Sequence, residues 1–298
     1  MIKIENITKN YGSVEALKGI SFEVEKGQLY GLIGPDGAGK TSLFRILTSL
    51  LIPTGGKATV NGFDTVTDYK SIRKIVGYMP EHFSLYMDLT VEENLNFFAT
   101  VFNTTVEENY HLIEDIYKML EPFKDRRAGA LSGGMKQKLA LSCALIHKPD
   151  ILLLDEPTTG VDPVSRKEFW DMLRKLKATG LTTLVSTPFM DDAELCDEVA
   201  LIQNGNILTI DTPANVAAKY PHKLWKVSTE NNYKTLKALE SFDKKISAFS
   251  FGHSVHLAVN DNVPGKAIKE HLLKHDVRIE NIEPINASIE DVFMELMR

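Results

Sequence analysis

The sequence predicts an α/β protein, a mostly parallel sheet carrying a helical insertion, followed by a small α+β domain. Three observations point there. Apolar β-rich runs such as ILLL (151–154) alternate with helical patterns over the first two-thirds of the chain. A continuous apolar run suits a strand covered on both faces, as in parallel sheets. Between 89 and 148 the pattern is almost wholly helical, and after a break at DTPANVAAKYPH (211–222) the order becomes βαββαβ and then a helix. The expected boundaries are 1–218 for the first domain, with its insertion at about 86–148, and 222–298 for the second.

Strands are expected at 2–7, 20–24, 29–33, 57–60, 75–79, 151–154, 182–185, 199–202 and 207–210. The opening MIKIENITKNYG alternates apolar and polar residues, the pattern of a strand and not of a secretory leader. In the insertion, TVEENLNFFATVF and VEENYHLIEDIYKMLEPF carry apolar residues at i, i+3, i+4 spacing, with Thr90 and Thr105 placed to cap them. In the second domain, strands at 224–228, 246–250, 255–259 and 277–284 alternate with helices at 232–239 and 264–273. A last helix starts at Ser288. That order is ferredoxin-like.

Composition narrows the function classes. Hydrophobic residues at 43% and charged residues at 25% are enough for a buried core and leave no signature of disorder. A formal charge of −6 argues against a protein that wraps nucleic acid, so no nucleic-acid partner is expected. No stretch approaches the ~18–20 apolar residues of a membrane span, so work at a membrane requires another chain. The two cysteines, Cys143 and Cys196, have no CxxC spacing and suit a reducing compartment.

Residues 34–41, GPDGAGKT, match G-x-x-x-x-G-K-[ST] between the apolar strand LYGLI and the amphipathic SLFRILTSLL. This is the strand–loop–helix context of a P-loop. Gly34, Gly37 and Gly39 let the backbone of Pro35, Asp36 and Ala38 curl so that N–H groups face phosphate oxygens. Ser42 extends the helix N-terminus, whose dipole favours an anion. Lys40 can reach the β- and γ-phosphates, and the Thr41 hydroxyl can ligate Mg²⁺. ATP with Mg²⁺ is therefore the expected ligand. ILLLDEP (151–157) delivers Asp155 to the carboxyl edge of the sheet, where it can support the metal while Glu156 polarises the attacking water. Taken alone, such a pair reads equally as a capped loop.

LSGGMKQ (131–137), placed between the helical segment and ILLLDEP, resembles the signature of the ATP-binding cassette (ABC) family. The resemblance covers about residues 1–218. It implies that Ser132, Gly133 and Gly134 cap the γ-phosphate of an ATP held by a partner subunit, while Asp162 in TTGVDP crosses the dimer interface. It implies that Tyr11 stacks on adenine, the alternative being a partly exposed strand-end tyrosine. Two positions depart from the family pattern. Glu81 follows VGYMP where a glutamine near Mg²⁺ is usual, and Pro188 in STPF stands where a histidine touches the γ-phosphate. Proline offers no donor, and losing one oriented donor costs on the order of 10²–10³ in rate. The resemblance thus implies an ATPase with slow or partner-dependent turnover, paired with a second ABC subunit as homo- or heterodimer.

The run EHFSLYMDL (81–89) is where ABC transporters receive a short helix of a membrane permease; packing of the insertion onto the core explains its aromatics equally well. ASIEDVFMELM (287–297) resembles the closing segment of drug- and antibiotic-exporter subunits of the daunorubicin-resistance type. The expected protein is the peripheral, cytoplasmic-face ATPase subunit of a membrane exporter. The alternatives are a soluble ABC ATPase and an ATP-binding switch with little turnover.

Overall fold

Near the N-terminus, β-branched residues alternate with polar ones, so each strand has one face to bury, and these strands pair with one another and not with the parallel sheet. In the computed structural model, which describes residues 1–298, the chain divides into units 1–213 and 214–298, each described by itself. The first runs β1 (Ile2–Tyr11), β2 (Val14–Val24), β3 (Leu29–Ile33), α1 (Lys40–Leu47), β4 (Gly55–Val60), β5 (Phe63–Asp64), α2 (Tyr69–Ile75) and β6 (Val76–Met79). The helices α3 (Val91–Val101), α4 (Val106–Tyr117) and α5 (Gly133–Leu145) follow, then β7 (Ile151–Asp155), α6 (Pro163–Ala178), β8 (Thr182–Thr187), β9 (Glu198–Gln203) and β10 (Asn206–Asp211).

Two sheets result, the parallel one that the continuous apolar runs predict and an antiparallel one to which the sequence reading assigns no strands. The antiparallel one has the order β2-β1-β4-β5, and the mainly parallel one the order β10-β9-β3-β8-β7-β6. The cause is local: only Gly12, at φ 59, and Ser13 separate β1 from β2, so the chain must return antiparallel. Both α2 and the start of β2 escape the sequence reading because they are largely exposed, and β5 because it is two residues long. In α2 only Ile72 is buried, and Ile75 ends that helix instead of opening β6. No helix is long and apolar enough to cross a membrane.

β3 and β7 are buried along their whole length, as their continuous apolar runs predict. In the register, Ile33 of β3 pairs with Thr187 of β8, and Asp155 of β7 with Ser186. Three strands therefore end side by side, and the loops leaving them share one edge. Phe44 and Leu47 of α1 belong to the same buried cluster as Leu32, Leu153 and Leu184, which fixes the helix against the sheet. Each such side chain contributes roughly 1.5–3 kcal/mol.

The insertion begins as its caps predict. The Thr90 hydroxyl accepts from Glu93 N, Glu93 reaches back to Thr90 N at 2.8 Å, and Thr105 caps α4 through Glu108 N. Asn94, fully buried, ties α3 to the preceding loop by bonds to the backbone of Tyr86, Leu89 and Thr90.

After α7 (Pro213–Ala218) come β11 (Lys223–Thr229), α8 (Asn232–Glu240), β12 (Lys245–Phe251), β13 (Ser254–Val259), α9 (Gly265–Lys274), β14 (Ile279–Ile285) and α10 (Ile289–Leu296). The four strands form an antiparallel sheet of order β12-β13-β11-β14. Its core joins Trp225, Val227 and Leu257 to Leu239 of α8 and to Ile268 and Leu272 of α9. A Cβ on Gly265 would lie 2.7 Å from the Trp225 ring, so that glycine lets α9 start against the indole.

Candidate nucleotide site

The loop between β3 and α1 is shaped by glycines that nothing larger can replace. Gly39 has φ 106 and a Cβ there would sit 2.5 Å from the Ala16 carbonyl oxygen; at Gly34 it would sit 2.1 Å from that of Ile202. Both contacts are with backbone, so the tight curl depends on glycine. Lys40 opens α1 with its side chain buried. Its Nζ donates to the carbonyls of Gly34 (2.7 Å) and Pro35 (2.9 Å) and pairs with Glu156 Oε1 at 2.9 Å. Asp36 and Gly37 are exposed, Pro35, Thr41 and Ser42 half-buried, and Ala38 is buried, its carbonyl accepting from Gly205 N.

β7 brings the acidic pair to this lysine. Asp155 is completely buried; Oδ1 accepts from Ser186 Oγ at 2.6 Å, and Oδ2 has no partner. Burial pushes the Asp155 carboxyl above the usual range, and the charges of Glu156 and Glu81 add to that, against the bond from Ser186 and the nearby Thr41 hydroxyl. A buried carboxylate oxygen without a donor, beside a threonine hydroxyl and a second carboxylate, fits a divalent cation. Thr41 Oγ1 lies 3.5 Å from Glu81 Oε2, so Thr41, Asp155 and Glu81 are the residues that could hold it.

Glu156 sits at φ 51, a left-handed conformation uncommon for a non-glycine residue. It is held by bonds from its N–H to Ser186 Oγ (2.9 Å) and Ser186 O (3.1 Å), and Thr159 Oγ1 donates to its Oε2 at 3.1 Å. Strain of this kind clusters at functional sites. A cavity of about 210 Å³ opens over the loop, lined by Ala16, Asp36, Gly39, Thr41, Glu81 and Glu156 among others. Tyr11 is 46% exposed; its hydroxyl is 3.3 Å from Ser42 Oγ and its ring lies under the Lys9 ammonium.

The remaining predicted residues stand apart from that cavity. Ser132 caps α5, accepting from Met135 N, and Gly133 beside it is exposed. Gly134 is buried: a Cβ there would lie 2.4 Å from Ser165 Oγ of α6. Asp162 caps α6, accepting from Val164 N and Ser165 N at 3.1 and 3.0 Å. Pro188, after β8, is half-buried. None of these five lines the cavity beside Lys40.

Comparison with known proteins fits this geometry. Residues 17–159 match the family "ABC transporter". The Nod factor export ATP-binding protein I of Burkholderia lata is 39% identical over 215 residues, covering 71% of this chain and 71% of that protein. The chain belongs to the ABC transporter family. A probable multidrug ABC transporter ATP-binding protein, YbhF of Escherichia coli, is 36% identical over 303 residues, which is all of this chain and 52% of that protein. This ABC chain thus spans about half the length of that relative. Among solved structures, a dimeric post-hydrolysis state of the ATP-binding cassette MJ0796 bound to ADP and Pi superimposes with a TM-score of 0.64. It is 27% identical and covers 71% of this chain and 98% of that one.

Sequence reasoning misses several residues that build this ABC site. Ser186 holds both acidic residues, Thr159 holds Glu156, and Ala16 walls the cavity. Ser186 and Ala16 act from strands distant in sequence, and a serine or alanine in a β run carries no signal of its own.

Proposed function

We propose that this chain is the ATP-hydrolysing motor subunit of a membrane exporter, working as a nucleotide-sandwich dimer at the cytoplasmic face of the membrane. The observation that carries the proposal is the meeting of Lys40, Thr41 and Glu156 on one cavity at the strand ends, with buried Asp155 held beside Glu156 by Ser186. The export role is supported by the likeness to a Nod factor export ATP-binding protein and a probable multidrug transporter ATP-binding protein, and by the run ASIEDVFMELM.

In the proposed reaction the N–H groups of residues 36–41 receive the β- and γ-phosphates, and Tyr11 at the cavity mouth stacks on adenine. Lys40 must exchange its bonds to Glu156 and two carbonyls for bonds to phosphate. Glu156, released, accepts the proton of the attacking water. Thr41, Asp155 and Glu81 would hold Mg²⁺, which would supply neutralisation of the triphosphate's charge. Ser132 and Gly133, exposed at the start of α5, face the γ-phosphate of the partner subunit's ATP, with Asp162 beside them. Gly134 serves this by letting α5 close on α6.

Glu81 and Pro188 weaken the site, the first by negative charge beside triphosphate and the second by lacking a donor. A heterodimer with a more complete ATPase subunit accommodates such a site, and a homodimer with two slow sites does so as well. A binding switch with little turnover is the second reading, favoured by the same two residues.

A groove of about 410 Å³ beside the insertion, lined by Met79, Pro80, Leu85, Phe98, Phe102 and His147 among others, takes the permease's helix. The His147 ring stacks on Phe102 beside this groove. The C-terminal unit, from its strand order, is a ferredoxin-like accessory domain. Co-expression with the permease tests the motor role. Phe98→Asp is expected to reduce co-purification about tenfold or more at unchanged ATP binding, and undiminished co-purification would remove this groove from the account.

A further inference from the structure

Asp192, just beyond β8, is 2% exposed, too deep to be left as a lone charge. Two partners from different elements meet it. Arg166, in the first turns of α6, donates through Nε at 3.0 Å and lies 2.8 Å away through a terminal nitrogen, both to Oδ1. Thr187 Oγ1, at the end of β8, donates to Oδ2 at 2.8 Å and itself accepts from Phe189 N at 3.1 Å. The Arg166 guanidinium also covers the Phe189 ring, with 4.1 Å to its centroid. The turn that contains Pro188 is therefore fastened at both ends.

Each partner leads to a functional element. Arg166 N donates to the carbonyl of Asp162, the residue that starts α6 at the proposed dimer interface. Thr187 O accepts from Gly34 N of the phosphate loop at 3.2 Å. The preceding residue, Ser186, holds Asp155 and Glu156. Hydrogen bonds, joined by the Arg166 side chain and the Ser186–Thr187 peptide, thus run from the interface loop through Asp192 to the hydrolytic pair.

We propose that Asp192 is a positioning residue for ATP hydrolysis: by joining Arg166 to Thr187 it makes the start of α6, the 186–189 turn and the Asp155–Glu156 pair move as one piece. The inference rests on the ATPase reading above. It concerns alignment and not affinity, because no atom of Asp192 lines the nucleotide cavity. Closure of a dimer on Asp162 would then reach Glu156 mechanically. Misplacing a reacting group by about 1 Å costs on the order of 10² in rate.

The test is single-turnover hydrolysis of labelled ATP with protein in excess, beside ATP affinity from a fluorescent nucleotide. Asp192→Asn and Thr187→Val are expected to lower the rate about tenfold or more while affinity stays within about threefold, and Thr187→Ser to keep both. The double variant is expected to be no slower than the worse single one, as for residues acting in one unit. If Asp192→Asn fails to fold, as circular dichroism would show, the near-isosteric Thr187→Val against Thr187→Ser decides. Rates within about twofold of wild type, affinity lost in step with rate, or equal losses in the serine and valine variants would overturn the proposal. A wild type with no hydrolysis at all would instead sink the ATPase reading and this inference with it.

Discussion

One ammonium group, that of Lys40, satisfies two loop carbonyls and a glutamate while nearly excluded from water. Removing it leaves three acceptors facing each other and takes away the charge proposed to meet the triphosphate. Lys40→Ala is expected to reduce ATP affinity by about two orders of magnitude, as measured by nucleotide titration; unchanged affinity would displace the phosphate site from this loop. Glu156→Gln keeps the shape of the site and removes the proposed base, so ATP is expected to persist uncleaved on the protein in a filter-binding chase. The phosphate loop and the acidic pair were legible in the sequence because their chemistry is local, a fixed spacing of glycines and one lysine, or a carboxylate after an apolar run. Ser186 and Asp192 were not, since their roles arise only when β7, β8 and α6 lie side by side.

Helix ends were readable in the same local way. Thr90 with Glu93 closes a capping box at the start of α3, so Thr90→Ala is expected to cost about 1 kcal/mol in urea unfolding. Contacts between helices were not readable. Gly134, whose sequence motif suggests only phosphate binding, is a point of close approach between α5 and α6: a Cβ at this position would fall 2.4 Å from Ser165 Oγ and 2.6 Å from Ser165 Cβ. Gly134→Ala is expected to destabilise by about 1–3 kcal/mol, and Ser165→Gly to recover part of the loss in the double variant. Additive losses would show that the two helices do not meet there. The mostly exposed α2 and the two-residue β5 gave too little periodicity to be predicted.

The order of strands and helices in the second unit and of most in the first could be derived from the sequence, but the split of the first unit into two sheets could not. Alternation tells which face of a strand is buried, not which sheet it joins. In the C-terminal unit a polar contact fastens the last helix. His256 Nδ1 of β13 lies 2.8 Å from Asp291 Oδ1 of α10, and Ser288 donates to the same carboxylate. Burial would raise the Asp291 carboxyl, yet the bonds from His256 and Ser288 outweigh it and hold it below the usual range. Its folded value being depressed, this contribution is present above about pH 4 and is lost as pH falls through the folded value. Asp291→Asn is expected to cost about 1–3 kcal/mol near pH 7 and to flatten the acid limb of the stability curve, followed by tryptophan fluorescence; an unchanged limb would assign acid sensitivity elsewhere.

The central claim is that one cavity binds and cleaves ATP, with Glu81 and Pro188 restraining it. The most direct measurement is Mg²⁺-dependent phosphate release by wild type, Lys40→Ala and the Glu81→Gln, Pro188→His double variant. The account predicts slow release by wild type, none by Lys40→Ala and clearly faster release by the double variant, by about tenfold or more. Release by Lys40→Ala at the wild-type rate would contradict it.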